Sequence, residues 1–270
     1  MMNSGQSTEN PLWWSRPTSG RSAATARVLL CPHSGAGPAA LLGLIELLPA
    51  TVEVLALTLP GREHRFTEAP QTSPAELLAS VDDELRPLPA LPTVAVGHSV
   101  GALLAAAVAD HLGPTGCQAL VVSGQSPPAV PNWADGAVHT TDLLRLVRLG
   151  GETPESVLAD DGWREFILAR LRADLALGAQ VRAGLRGREL RCPIAVLGGL
   201  DDPVVPSRTL AGWRAVTRAP FHPTALAGGH FAILAAEHRR PVAAALRWAL
   251  DQAAGRFWKD SGVALPSEPA

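Results

Sequence analysis

The sequence predicts an α/β fold on a mostly parallel sheet, with helices on both faces and a helical insertion near one end of the strands. Three observations carry this reading. Short β-rich apolar runs alternate with longer helical patterns, the mark of βαβ units. The runs are apolar almost throughout, as in strands covered on both faces. The chain has 270 residues, 47% of them hydrophobic, with a formal net charge of −2, which suits one large core.

The candidate strands are Val28 to Leu30, Val52 to Leu57, Val94 to Val96, Ala119 to Ser123 and Ile194 to Leu197, with a weaker one at Pro223 to Leu226. Helices read between them. Ala39 to Leu48 follows the first strand. Pro74 to Leu85 opens with Ser73 as N-cap, Pro74 at the first helical position and Glu76 as the capping-box acid. Gly101 to Leu112 is apolar nearly all round, as a helix packed on a sheet must be. Val242 to Ala253 closes the domain. The stretch from about 126 to 190 is far longer than a crossover needs. It carries helical patterns at Thr141 to Leu149, Pro154 to Asp160 and Trp163 to Leu185. The domain is expected over 27–255, with fraying ends at 1–26 and 256–270.

Composition removes several function classes. Lys+Arg number 23 against 25 Asp+Glu, with no basic block, so no footprint for nucleic acid is present. No charge-free and proline-free run of 18 apolar residues suggests a membrane span. The first residues have neither a basic n-region nor an apolar h-region, and a cytoplasmic location is expected. Cys31, Cys117 and Cys192 are far apart with no CxxC pair. They read as buried small hydrophobes rather than disulfides or a metal site.

The strongest local signal is Gly97-His98-Ser99-Val100-Gly101, between an apolar strand and an Ala/Leu helix. A nucleophile on so tight a strand-to-helix turn is strained, and its neighbours two residues either side must be small. A serine needs a base. Gly228-Gly229-His230-Phe231 is a glycine-bracketed loop before an apolar helix start, and it presents His230 at the C-terminal rim of the sheet. The other histidines precede Ser99, lie in helical or inserted segments, or, like His222 and His238, sit in polar surroundings. The carboxylate belongs at a strand end between the two. Ile194 to Leu197 breaks into Gly198-Gly199-Leu200-Asp201-Asp202-Pro203, and Asp202, held extended by Pro203, is preferred over Asp201. An oxyanion hole then needs two backbone N–H groups. Val100 supplies one, and the other is expected from the turn Pro32-His33-Ser34-Gly35-Ala36-Gly37. That turn has neither GK[ST] nor GxGxxG, which disfavours a phosphate loop.

These residues resemble the type II thioesterases that accompany modular polyketide synthases and non-ribosomal peptide synthetases, within the α/β-hydrolase superfamily. The resemblance is carried by CPHSGAG (31–37), LPGREHRF (59–66), VGHSVGA (96–102), LRADL (171–175), GGLDDPVV (198–205), Trp213 and GGHF (228–231), in the family's order. It implies Ser99 as nucleophile, Asp202 as acid, His230 as base, and the N–H groups of Ser34 and Val100 as the oxyanion hole. It implies a mobile helical lid over an acyl chamber. The strand before the lid ends Val122-Ser123-Gly124-Gln125-Ser126 without an acid, similar to stand-alone type II enzymes rather than integrated type I domains.

The implied activity is hydrolysis of acyl thioesters from the phosphopantetheine arm of acyl or peptidyl carrier proteins, as an editing step. No cofactor of the protein's own is expected, since the substrate brings the phosphopantetheine, and no metal. Two other readings share these residues: a carboxylester hydrolase or acyltransferase with the same triad, and a non-catalytic acyl-carrier binder. Leu143, Leu144 and Val147 either line the chamber or pack the lid. Arg62 and Arg65 either meet an acidic carrier surface or the pantetheine phosphate, or are solvated or internally paired.

Overall fold

The computed structural model describes residues 12–17, 24–131, 139–150 and 153–261. Seven strands form one sheet in the order β1-β3-β2-β4-β5-β6-β7. They are β1 (Trp14–Ser15), β2 (Ala26–Cys31), β3 (Val52–Leu57), β4 (Thr93–His98), β5 (Ala119–Ser123), β6 (Ile194–Gly199) and β7 (Phe221–Leu226). All neighbours are parallel except β1, which runs antiparallel to β3 with Trp14 opposite Leu57. Strands β2 to β6 are almost wholly buried, as their uninterrupted apolar character requires.

The helices are α1 (Leu42–Ile45), α2 (Pro74–Ser80), α3 (Val100–Gly116), α4 (Thr140–Gly150), α5 (Glu155–Ala159), α6 (Asp161–Leu185) and α7 (Arg239–Ser261). One face of the sheet packs against α2, α3 and the inserted α4 and α6, with α5 resting on α6, and the other against α1 and α7. The expected lid is therefore present as three helices between β5 and β6. Its residues 132–138 and 151–152 lie outside the described set. Ser73 caps α2, its Oγ accepting from the Glu76 N–H at 3.2 Å while Glu76 accepts from the Ser73 N–H at 2.8 Å, the reciprocal capping box.

Three expectations need correction. The helix expected at Ala39 to Leu48 is a 3₁₀ turn at Pro38–Leu41 followed by the single turn α1. Gly43 lies inside that stretch and Pro49 just beyond it, and glycine weakens a helix interior.

The segment 1–26 is not all a fraying end, because Trp14 joins the sheet and is 4% exposed. Glu84 accepts the Trp13 and Trp14 N–H groups at 2.9 and 3.1 Å, and the Trp14 indole N–H donates to Ser80 Oγ at 3.1 Å. Burying an indole with its N–H satisfied outweighs the local polar sequence. Residues 1–11 and 18–23 lie outside the described set.

The third concerns 256–270. Helix α7 continues to Ser261, and Arg256 Nη2 donates to the Arg191 carbonyl at 2.9 Å. Its apolar face, with Val242, Ala245, Leu246, Ala249 and Ala253, is buried against the sheet. Residues 262–270 are not described.

Candidate active site

Ser99 sits between the last residue of β4 and the first of α3, with φ 55° and ψ −128°. A positive φ is costly for a residue with a side chain and persists only where the surroundings impose it. The two flanking glycines show what imposes it. A Cβ on Gly97 would come 2.1 Å from the Gly101 carbonyl oxygen, and one on Gly101 would come 2.1 Å from the Cys31 carbonyl oxygen. The strand therefore turns into the helix with no room for a methyl group. The hydroxyl projects at the C-terminal end of the sheet's central strands, and the Ser99 N–H is anchored to the Ser123 carbonyl at 2.8 Å.

The hydroxyl is part of a relay. Ser99 Oγ lies 3.0 Å from His230 Nε2, and His230 Nδ1 lies 2.8 Å from Asp202 Oδ2. A carboxylate accepts only, so Nδ1 carries the proton and Nε2 is left to accept from the serine. The remaining oxygen, Asp202 Oδ1, accepts the N–H groups of Val204 and Val205 at 2.7 and 2.9 Å. That turn follows β6 directly, and Pro203 shapes it. Asp201 is exposed, and its N–H is spent on the Gly228 carbonyl at 3.0 Å. Of the two candidate acids, the structure joins Asp202 to the imidazole.

Val100 and Ser34, the expected oxyanion donors, line the same chamber as Ser99 and His230. Neither N–H donates to a described protein group, and that of Val100 opens α3, where no intrahelical acceptor exists. The turn carrying Ser34 is held from the lid. Asp174 of α6 accepts the Gly35 N–H at 2.6 Å and pairs with Arg62 through both terminal guanidinium nitrogens, at 2.7 and 2.8 Å. Arg62 Nη1 also donates to the Ala36 carbonyl at 3.1 Å. Glu63, next in the LPGRE run, accepts the Ala39 N–H at 3.0 Å. The run thus fastens the turn that carries Ser34 to the lid.

Arg62 and Arg65 are each about 5% exposed. Neither is solvated nor available to a carrier surface or a phosphate: both are internally paired. Arg65 grips Glu68 at 2.6 Å and the Thr58 carbonyl at 3.0 Å, with its guanidinium over the Trp13 ring.

The chamber above the serine has a volume of about 270 Å³. Lid residues Leu146, Val147, Ile167, Leu171 and Leu175 and the elbow-side Leu103 give it an apolar wall. Of the two readings left open for Leu143, Leu144 and Val147, Val147 takes the first and faces the chamber. Leu143 does not: it is fully buried in the lid's packing, and Leu144 packs beside it. The face of α4 that meets the chamber is offset from them along the helix.

Around His230 stand His98, His33 and Phe231, with ring centroids of His98 and Phe231 at 5.0 and 5.3 Å from the imidazole. His33 packs on His98 and Phe231 at 5.7 and 4.9 Å. Burial, then the neighbouring His230, holds His98 well below the usual histidine range and lowers His33 to about 4. Both are neutral at pH 7, so neither adds a positive charge beside the His230 imidazole. Gly124, at φ +55°, makes this crowding possible: a Cβ there would lie 2.8 Å from His98 Cε1 and 3.3 Å from His230 Cε1.

The buried histidines make the fold acid-sensitive. The unfolded chain binds their protons near pH 6.5 while the folded chain does not, so stability rises with pH across this interval and is lost as pH falls from about 6.5 toward 4. Each group adds at most about 1.4 kcal/mol per pH unit. Urea unfolding between pH 4 and 8 is expected to show this slope, and His98→Asn to reduce it.

The sequence pointed to Ser99, His230, Asp202, Val100 and Ser34; the structure brings Ser99, His230, Val100 and Ser34 to one chamber and joins Asp202 to it through His230. It did not point to Asp174, Gln125, Gly124 or the His33–His98 pair as parts of the site. LRADL and LPGRE were visible as motifs; that their charged residues meet was not. Among the described residues no group of three or more His, Cys, Asp or Glu could hold a metal ion, and no helix is long and apolar enough to cross a membrane.

A family model described as thioesterase domain matches residues 26–248. The gramicidin S biosynthesis protein GrsT of Aneurinibacillus migulanus is 32% identical over 219 residues, 78% of this chain and 84% of that protein. Thioesterase PikA5 of Streptomyces venezuelae is 32% identical over 213 residues, 76% of this chain and 74% of its own. Among solved structures, the type II thioesterase BorB from the borrelidin biosynthetic cluster superposes with a TM-score of 0.72 at 30% identity, covering 88% of this chain and 97% of that one. With a strained serine, an imidazole and a carboxylate joined under a helical lid on an α/β-hydrolase sheet, the chain belongs to the thioesterase family, among the type II enzymes of polyketide and non-ribosomal peptide biosynthesis.

Proposed function

We propose that this serine hydrolase releases acyl groups from the phosphopantetheine arm of acyl or peptidyl carrier proteins, clearing stalled or wrongly primed chains from a modular synthase. The observation that carries it is the continuous relay from Ser99 through His230 to Asp202 at the floor of an apolar chamber. Ser99 Oγ attacks the thioester carbonyl as its proton passes to His230 Nε2. The N–H groups of Val100 and Ser34 hold the oxyanion, and Asp202 stabilises the imidazolium.

The C–S bond then breaks, and the leaving thiolate takes the proton from His230 to become the free thiol. A thiolate leaves readily, so little general-acid assistance is needed. Water, deprotonated by the same imidazole, cleaves the Ser99 ester, returning Ser99 and a free carboxylic acid. No cofactor enters beyond the arm that the substrate carries. The buried free thiols of Cys31, Cys117 and Cys192 fit a cytoplasmic setting.

The experiment is mass spectrometry of carrier proteins loaded with a panel of acyl groups, alongside matched oxygen esters and fluorophosphonate labelling. Thioester release by the wild type exceeding oxygen-ester cleavage, with Ser99 labelled, supports the reading. Preferential oxygen-ester cleavage replaces it with a carboxylesterase. Absence of labelling and turnover leaves an acyl-carrier binder.

A further inference from the structure

Gln125 lines the acyl chamber beside Ser99 and His230, and neither the relay nor the oxyanion donors use it. Its surroundings decide which end of the carboxamide faces the open volume. Arg182 Nη2 donates to Gln125 Oε1 at 2.8 Å, and the Ser126 N–H donates to the same oxygen at 3.0 Å. A guanidinium and a backbone N–H only donate, so the atom they meet is the oxygen. The nitrogen Nε2 is turned the other way. It donates to no described group, and it is not among the side-chain atoms sealed from solvent without a partner.

The residue is held at both ends. Its carbonyl accepts the Trp213 indole N–H at 2.7 Å, and fully buried Arg182 is itself gripped by the Pro127 and Val130 carbonyls at 2.9 and 3.0 Å. The donor is therefore preorganised, which lowers the ordering cost of using it. Its place along the chain sets what it can reach. Ser123 anchors the nucleophile's N–H, and Gly124 packs on the catalytic imidazole. Gln125 follows these two directly in the chain and lines the chamber that opens above Ser99, which favours the first carbons of a chain held on that serine over its far end. The wall around it is apolar, through Leu103, Val147, Leu171 and Leu175. A plain alkyl chain leaves this N–H donor desolvated and unmet, and an acceptor oxygen satisfies it.

We propose that Gln125 is a specificity-determining residue that selects acyl groups bearing an oxygen near the thioester, as 3-oxo and 3-hydroxy acyl groups do, over unsubstituted alkyl chains. This rests on thioester hydrolysis at Ser99. The test measures kcat/KM for butyryl-, 3-oxobutyryl- and 3-hydroxybutyryl-pantetheine with wild type, Gln125→Glu and Gln125→Met. The glutamate keeps an oxygen for Arg182 and so guards against loss of the fold, while removing the N–H donor. The ratio of each oxygenated substrate to butyryl is expected to fall about tenfold in both variants, as for one lost neutral hydrogen bond.

A merely structural role slows all three substrates alike. If the ratios stay at the wild-type value while the wild type turns over its substrates, the specificity role is overturned and the reaction stands. If the wild type hydrolyses none of them, the reaction itself fails, and the specificity role fails with it.

Discussion

Ser99→Ala is expected to leave the fold intact and to lower thioester turnover by about 10⁴-fold or more, because nothing else in the chamber can form the acyl-enzyme. The remaining chamber residues that could accept an acyl group, Ser34 and Thr153, make no hydrogen bond to the imidazole, whereas Ser99 Oγ is 3.0 Å from it. The substitution also removes a side chain from a residue at φ 55° without enlarging it, so no new strain arises. Circular dichroism and thermal melting should match the wild type while single-turnover release from a loaded carrier disappears. Retention of a tenth of the activity, or about that, would place the nucleophile elsewhere. Asp202→Asn and Asp201→Asn belong in the same assay. The first should fall by roughly 10⁴-fold, since the amide favours the wrong imidazole tautomer, and the second should stay near wild type, because Asp201 is exposed and does not touch His230.

Asp174→Ala is expected to affect both stability and catalysis. The variant strands the Arg62 guanidinium, about 5% exposed, without its carboxylate. Breaking one side of a buried ion pair costs about 3–5 kcal/mol, which for a domain of this size lowers the melting temperature by roughly 10 °C. It also releases the Gly35 N–H and loosens the turn that presents Ser34. Thus kcat should drop with little change in KM, as for a residue acting through the oxyanion turn. The double variant Arg62→Met with Asp174→Leu separates the two effects. Removing both charges should recover much of the stability, while kcat stays low because Gly35 still lacks its acceptor. Full recovery of kcat in the double variant would reduce the pair to a stability role.

The geometry of the candidate site was legible in the sequence to the extent that it depends on local backbone rules. A serine between glycines at a strand-to-helix junction, an aspartate fixed by the following proline and a histidine behind two glycines are each set within a few residues, and short-range sterics determine them. The lid helices were legible for the same reason, through their periodicity. Other features were not. Trp14 looked like part of a polar end until β3 was there to pair with it. Val147 could not be separated from Leu143 before the lid's orientation over the elbow was known.

By itself, then, the amino-acid order determined the sheet, the elbow, the relay and its chain order, because strand, turn and helix preferences act between near neighbours. Only the tertiary structure decided that Asp174 grips Arg62 and Gly35 across separations of 112 and 139 residues, that Arg182 turns the Gln125 carboxamide from 57 residues away, and that neutral His98, backed by neutral His33, packs on His230. A buried polar side chain takes whatever partner the packed core brings within hydrogen-bond distance, and no local pattern records which segment that will be.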